Sequence, residues 1–111
     1  MTRDKNMIKE KRIRNGHGAF SLHGELNIYC AGELKKRLCK YTDTKYKAIT
    51  IDTSEVSELD TACLQLLIGL KKLYGKTSRE MKIVGHSPAV IDIMELLGLC
   101  QFFGDPMVLR D

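Results

Sequence analysis

The chain has 111 residues, a formal net charge of +4 and 43% hydrophobic residues. We expect a single domain over residues 1–111, because a chain of this size can bury an independent core but leaves little room for a second one. Its apolar runs are too short for the roughly 20 residues that span a bilayer, and no charged-then-apolar leader opens the chain. We therefore expect a cytoplasmic protein that does not insert into a membrane.

The cysteines do not form a metal-binding or disulfide pattern. There are four of them, Cys30, Cys39, Cys63 and Cys100, with no Cys-x-x-Cys pair and no histidine at zinc-ligand spacing. Buried free thiols are favoured over a disulfide or a metal site. We expect no metal and no cofactor.

Basic residues are concentrated near the N-terminus, where Lys9, Lys11, Arg12 and Arg14 are interrupted by apolar residues such as Ile13. A basic stretch can contact nucleic acid or anionic lipid. The alternation is explained more simply by the solvated face of a strand, so no nucleic-acid partner is expected.

The first predicted element is a β-hairpin over about residues 7–24. Polar and apolar residues alternate from Met7 to Arg14 and again from Ala19 to His23. Asn15-Gly16 between them is a strong signal for a two-residue turn.

A first helix is predicted over about residues 30–41 from the spacing of its apolar residues, with an outer side made basic by Lys35, Lys36 and Lys40. Ala48 to Asp52 has the short, β-branched pattern of a buried strand. A polar turn is predicted directly after it.

The second helix is predicted over about residues 61–75, with Asp60 as its N-cap and Gly75 at its end. Met81 to Val84 has the pattern of a further strand. Ser87 and Pro88 are typical of the start of a third helix, predicted over about residues 88–98. A final edge strand is predicted at 107–109.

This order of strands and helices predicts the fold class. The strands that follow each helix must return to the same sheet through crossover connections. The sequence therefore predicts an α/β domain whose mixed β-sheet packs against helices.

The start of the second helix is the candidate functional site. Asp60, Thr61 and Ala62 lie where a strand passes through a polar turn into a helix. Free backbone N–H groups and the positive end of the helix dipole favour anions, phosphoryl groups and partner carboxylates there. Thr53, Ser54 and Ser57 in the preceding turn are further candidates for partner contact.

The same segment closely resembles the STAS family of sulfate-transporter and anti-sigma-factor-antagonist domains. In the phosphorylatable antagonists of that family the strand is followed by Asp-Ser-Ser-Gly-Leu, and the second serine takes the phosphoryl group. The matching residues here are Asp60-Thr61-Ala62-Cys63-Leu64. The segment 22–28 also looks like the family's Leu-x-Gly-Glu-Leu-Asp-Ile, and 85–90 with 96–99 resembles its last helical unit.

The resemblance implies a non-catalytic STAS-like domain that binds a protein partner through the start of its second helix. The implied partner is an anti-sigma factor or a histidine-kinase-like ATPase of the kind associated with chemotaxis. The implied contact residues are Thr53, Ser54, Ser57, Asp60, Thr61, Ala62 and Cys63. Ala62 has no hydroxyl and is not a phosphorylation site, which leaves Thr61 as the secondary candidate.

Loss of the acceptor hydroxyl leaves two possibilities within the signalling hypothesis. The protein is constitutively competent to bind, or it belongs with the chemotaxis-associated STAS proteins that also carry Asp-Thr-Ala. The rival hypothesis is the STAS subunit of a bacterial phospholipid-transport ABC system, whose motif also carries Asp-Thr and which braces an ABC ATPase subunit. The sequence does not predict an oligomeric state.

Overall fold

A computed structural model of the protein describes residues 7–99 and 102. The elements in chain order are β1 (Ile8–Arg14), β2 (His17–Leu26), α1 (Ala31–Cys39), β3 (Ala48–Leu59), α2 (Thr61–Lys76), β4 (Glu80–Val84) and α3 (Pro88–Leu96). A single 3-10 turn, Lys40–Thr42, continues α1. Within the described residues, no helix is long and apolar enough to cross a membrane.

The four strands form one mixed sheet in the order β1-β2-β3-β4. β1 and β2 are antiparallel, whereas β2 pairs in parallel with β3 and β3 in parallel with β4. The two parallel pairs require crossovers, which α1 and α2 supply. The predicted α/β class and mixed sheet are confirmed.

The turn between β1 and β2 has the backbone that its sequence favours. Asn15 has φ 53° and Gly16 has φ 80°. Two successive residues with positive φ make a type I′ turn, whose twist matches that of the flanking strands. The local sequence is therefore sufficient to place the hairpin.

The prediction of a polar turn after Asp52 is wrong, because β3 continues through this segment to Leu59. Its second half pairs with β2, from His23 opposite Glu55 to Leu26 opposite Leu59. Two register shifts interrupt this pairing and disturb the alternation of buried and exposed residues. The buried residues are consequently three apart, at Thr53, Val56 and Leu59.

Two other expectations differ from the structure. α1 ends at Cys39 and α3 at Leu96, both two residues earlier than predicted. Cys30 and Cys63 are buried free thiols, but Cys39 is exposed at the end of its helix, so the prediction of burial is wrong for Cys39. Cys100 and the predicted strand at 107–109 lie outside the described residues.

The core lies between the sheet and the helices, and every element except β1 contributes fully buried apolar side chains to it. Examples with no exposed surface are Leu22, Leu34, Ile51, Leu67 and Ile83. Burial of each side chain of this size stabilises the folded state by roughly 1.5–3 kcal/mol. The same core fixes the ends of β2 and β3, where the candidate site lies.

Two tyrosines in this core differ in one respect. Tyr46 and Tyr74 both have no exposed surface. The Tyr74 hydroxyl donates to the backbone oxygen of Tyr41 over 2.6 Å. The Tyr46 hydroxyl is buried and has no hydrogen-bond partner among the described residues. The pair therefore offers an internal comparison of a satisfied and an unsatisfied buried hydroxyl.

We expect Tyr74→Phe to lower the free energy of unfolding by about 1–3 kcal/mol, because it leaves the buried Tyr41 carbonyl without its donor. Tyr46→Phe is the matched control and should be neutral or stabilising, since it removes a hydroxyl that has no partner. Urea denaturation of both variants measures the difference. Equal losses of stability would contradict this assignment of the hydrogen bond.

Candidate functional site

Asp60 joins the start of α2 to the loop that follows β2. Its side chain caps the helix by accepting from the N–H of Cys63 over 3.2 Å. The second carboxylate oxygen accepts from the N–H of Ile28 over 2.8 Å. The Asp60 N–H donates to the Leu26 carbonyl over 3.0 Å. Both carboxylate oxygens are thus engaged in holding the site together.

The loop between β2 and α1 is fixed by Asn27. Its side-chain oxygen accepts from the N–H of Tyr29 over 3.0 Å, and its amide donates to the Glu58 carboxylate over 3.2 Å. Its backbone oxygen accepts from the N–H of Cys30 and from the thiol of Cys63. The loop is therefore held to both β3 and α2.

Three successive residues at the start of α2 face three different environments. Thr61 is exposed, Ala62 is half-buried and Cys63 is fully buried. Side chains one residue apart on a helix point about 100° apart, which accounts for the different exposure of these three residues. Within the described residues, the N–H groups of Thr61 and Ala62 have no hydrogen-bond acceptor. They form the free donor pair expected at an α-helix start.

The remaining candidate residues do not gather at this point. Thr53 is 1% exposed, and its hydroxyl donates to the Val84 carbonyl over 3.4 Å. Ser54 is half-buried in β3 close to Gly85, away from the start of α2. Ser57 is exposed on β3. Thr53 and Cys63 are therefore buried, which removes both from the surface that a partner could touch.

The sequence analysis missed two residues of this site. Ile28 is 67% exposed and Tyr29 is 92% exposed, although both are large and apolar. The hydrogen bond from Ile28 to Asp60 places them directly beside the start of α2. The sequence signal that could have identified them is the pair of consecutive large side chains between a predicted strand and a predicted helix. We name Ile28, Tyr29, Thr61 and Ala62 the helix-mouth surface.

The thiol nearest to this surface is not a reactive nucleophile on its own. Burial, the neighbouring Cys30 thiol and the Asp60 carboxylate raise the pKa of Cys63 to about 12. The thiolate is the nucleophilic form, so Cys63 stays protonated at neutral pH. In residues 7–99 and 102, no group of three or more His, Cys, Asp and Glu side chains is placed to hold a metal ion.

The mixed sheet, its two crossover helices and the capped start of α2 define a small α/β domain of known architecture. Residues 9–110 match the STAS domain family. The chain belongs to that family, and the resemblance seen in its motifs is confirmed.

Proteins similar to this chain include antagonists of anti-sigma factors. The anti-sigma-B factor antagonist of Staphylococcus aureus is 29% identical over 76 residues, which cover 68% of this chain and 70% of the relative. The chain is thus similar to anti-sigma factor antagonists.

Two solved structures share the fold. The anti-sigma factor antagonist SpoIIAA in its unphosphorylated form has a TM-score of 0.70 at 15% identity, covering 83% of this chain and 81% of that one. An anti-sigma factor antagonist from Mycobacterium paratuberculosis has a TM-score of 0.71 at 23% identity, covering 90% and 86%. At these identities the likeness concerns the fold.

We expect Asp60→Ala to lower the free energy of unfolding by about 1–2 kcal/mol, because it removes the helix cap together with the acceptor of the Ile28 N–H. Thr61→Ala changes the adjacent, exposed position and should leave stability within about 0.5 kcal/mol of the parent. Chemical denaturation compares the two. Equal stability of Asp60→Ala and the parent would mean that the carboxylate does not hold the loop to the helix.

Proposed function

We propose that this protein is a non-catalytic signalling domain of the anti-sigma-factor-antagonist type, which acts in the cytoplasm. It binds a regulatory protein partner through the helix-mouth surface. The partner is an anti-sigma factor or a histidine-kinase-like ATPase. The observation that supports this proposal is the exposure of Ile28 and Tyr29 beside Thr61 and Ala62, in a chain whose similar proteins are anti-sigma factor antagonists.

The helix-mouth surface has the composition of a protein-binding site. Tyrosine supplies a large apolar contact area with few rotatable bonds and is enriched among the residues that dominate binding energy. The loop that carries Tyr29 is already fixed by Asn27 and Asp60. A fixed loop loses little conformational entropy on association, which favours affinity.

Ala62 allows a partner to approach the helix start closely. Its side chain is a single methyl group, and the neighbouring N–H groups remain available to a partner carboxylate or carbonyl. The same residue removes the hydroxyl that the phosphorylatable relatives use. Thr61 carries a hydroxyl, but its side chain points in a different direction from position 62. We therefore propose that binding is not switched off by phosphorylation at position 62.

A tagged pull-down of the full chain, with the bound proteins identified by mass spectrometry, tests the class of partner. An anti-sigma factor or a histidine-kinase-like ATPase supports the proposal. Recovery of an ABC ATPase subunit would instead assign the protein to phospholipid transport and overturn the signalling role.

Tyr29→Ala should weaken binding to the recovered partner by at least about tenfold, because it removes the most exposed aromatic side chain of the surface. The fold should be unaffected, since the ring is 92% exposed. Leu96→Ala is the matched control, as Leu96 is an 81% exposed apolar residue at the end of α3. Isothermal titration gives both affinities. Equal affinities of the two variants would place the binding surface elsewhere, and the basic side of α1 at Lys35, Lys36 and Lys40 would be tested next.

Ala62→Glu should reduce binding far more than stability. A carboxylate in the first turn of a helix interacts favourably with the dipole, by roughly 0.3–1 kcal/mol. An unpaired charge buried at an interface costs several kcal/mol, so affinity should fall by at least about a hundredfold.

Thr44→Glu is the control for Ala62→Glu, because it adds the same charge at an exposed position in the connection before β3, at the other end of that strand. Thermal melts and titrations of both variants are compared. A partner that binds Ala62→Glu as tightly as Thr44→Glu would show that position 62 is not in the interface.

A further inference from the structure

Two buried cysteines from different helices meet behind the helix-mouth surface. Cys30 is the N-cap residue of α1, and its N–H donates to the backbone oxygen of Asn27 over 3.0 Å. Cys63 lies in the first turn of α2, and its thiol donates to the same oxygen over 3.3 Å. Two groups bound to one oxygen atom must lie side by side.

The thiols themselves are also close enough to interact. The Cys30 thiol is one of the groups that raise the pKa of Cys63. The Cys30 thiol also donates to the Glu25 carbonyl over 3.5 Å. Both cysteines are free. The chain thus holds two free thiols close together beside the Asn27 oxygen, although they are far apart in sequence.

We propose that Cys30 and Cys63 form an oxidisable pair, a modification site that closes to a disulfide in the presence of peroxide. The Cys30 sulfur first attacks an oxygen of hydrogen peroxide, giving a sulfenic acid and one water. The Cys63 sulfur then attacks the Cys30 sulfur while its proton passes to the departing hydroxyl group, which leaves as a second water, so the step needs no free Cys63 thiolate. Two thiols are oxidised to one disulfide, and one peroxide is reduced to two waters.

The difference in burial gives the order of these steps. Cys30 keeps 7% of its surface exposed, whereas Cys63 has none. Peroxide therefore reaches Cys30 first. Cys63 is the resolving thiol, held beside Cys30 by the shared Asn27 oxygen. Cys39 is exposed at the opposite end of α1, so it is open to oxidation but remote from this pair.

Closing the disulfide changes the loop that carries Ile28 and Tyr29. Each thiol loses its hydrogen, so the Asn27 oxygen loses the Cys63 donor and the Glu25 oxygen loses the Cys30 donor. A disulfide also requires the sulfur atoms to approach to about 2.05 Å, which draws the starts of α1 and α2 together. The consequence for partner binding rests on the function proposed above, whereas the modification itself does not.

The modification is tested on the full chain by mild treatment with hydrogen peroxide, alkylation of the remaining thiols after denaturation, and peptide mapping without reductant. We expect one linked peptide pair containing Cys30 and Cys63, which dithiothreitol separates. Cys39→Ser should give the same pair in the same yield. Cys63→Ala and, independently, Cys30→Ala should abolish it. Full alkylation of Cys30 and Cys63 in a sample whose Cys39 is oxidised would overturn the proposal.

Hydrogen exchange separates this inference from the proposed function, because it needs no partner. The amides of Ile28 and Tyr29 are both hydrogen bonded in the reduced protein. We expect their exchange to change by at least about tenfold on oxidation and to return on reduction. Unchanged exchange in a protein that carries the disulfide would overturn the link between the thiol pair and the loop. Failure of Tyr29→Ala to weaken partner binding would instead affect only the docking surface.

Discussion

The carboxylate of Asp60 is the interaction on which the site depends. β2 and β3 are parallel, so their carboxyl ends meet at one edge of the sheet and the segments after them become neighbours. Proximity alone does not fix two loops relative to each other. Asp60 does so because one oxygen binds the first turn of α2 and the other binds the Ile28 N–H. A neutral cap that offers a single acceptor would satisfy the helix but release the loop.

The loss of the family's acceptor hydroxyl at position 62 leaves an apolar surface, because the loop beside it is fixed. With Ala62 in place, the helix start offers a small apolar side chain and free amides, and Ile28 and Tyr29 surround it with exposed apolar area. The surface is thus suited to recognition by shape and apolar contact. Under the function we propose, control of binding comes from the partner or from a change beneath the surface, where the thiol pair lies.

The sequence was sufficient where local chemistry decides the structure. Asn15-Gly16 fixes the hairpin turn, and Asp60 and Ser87 cap their helices because each side chain binds an amide three residues ahead. The alternation of apolar residues in β-strands and their periodic spacing in helices predicted the α/β class. These features depend on residues close together in the chain, which is why they can be derived from it.

The rest depended on contacts between distant segments. Residues 53–59 are rich in Ser, which favours turns, and in Glu, which is depleted in strands, yet pairing with β2 makes them part of a strand. That pairing buries Thr53, which a polar turn would have exposed. Two consecutive large side chains between a strand and a helix mark Ile28 and Tyr29 in the sequence, but their place beside the start of α2 follows from hydrogen bonds between residues about thirty positions apart.

The position of β3 in the sheet has a consequence for how the chain folds. Ile51 pairs with Phe20 on one side and with Ile83 on the other, so the central strand has no partner close to it in sequence. Pairings of this kind form slowly, because the chain loses the entropy of closing a long loop before the strand contacts stabilise it. Until β4 pairs with it, β3 presents an unpaired edge that other chains can join. The folding protein is therefore open to strand pairing with other molecules until residues 80–84 have docked beside β3.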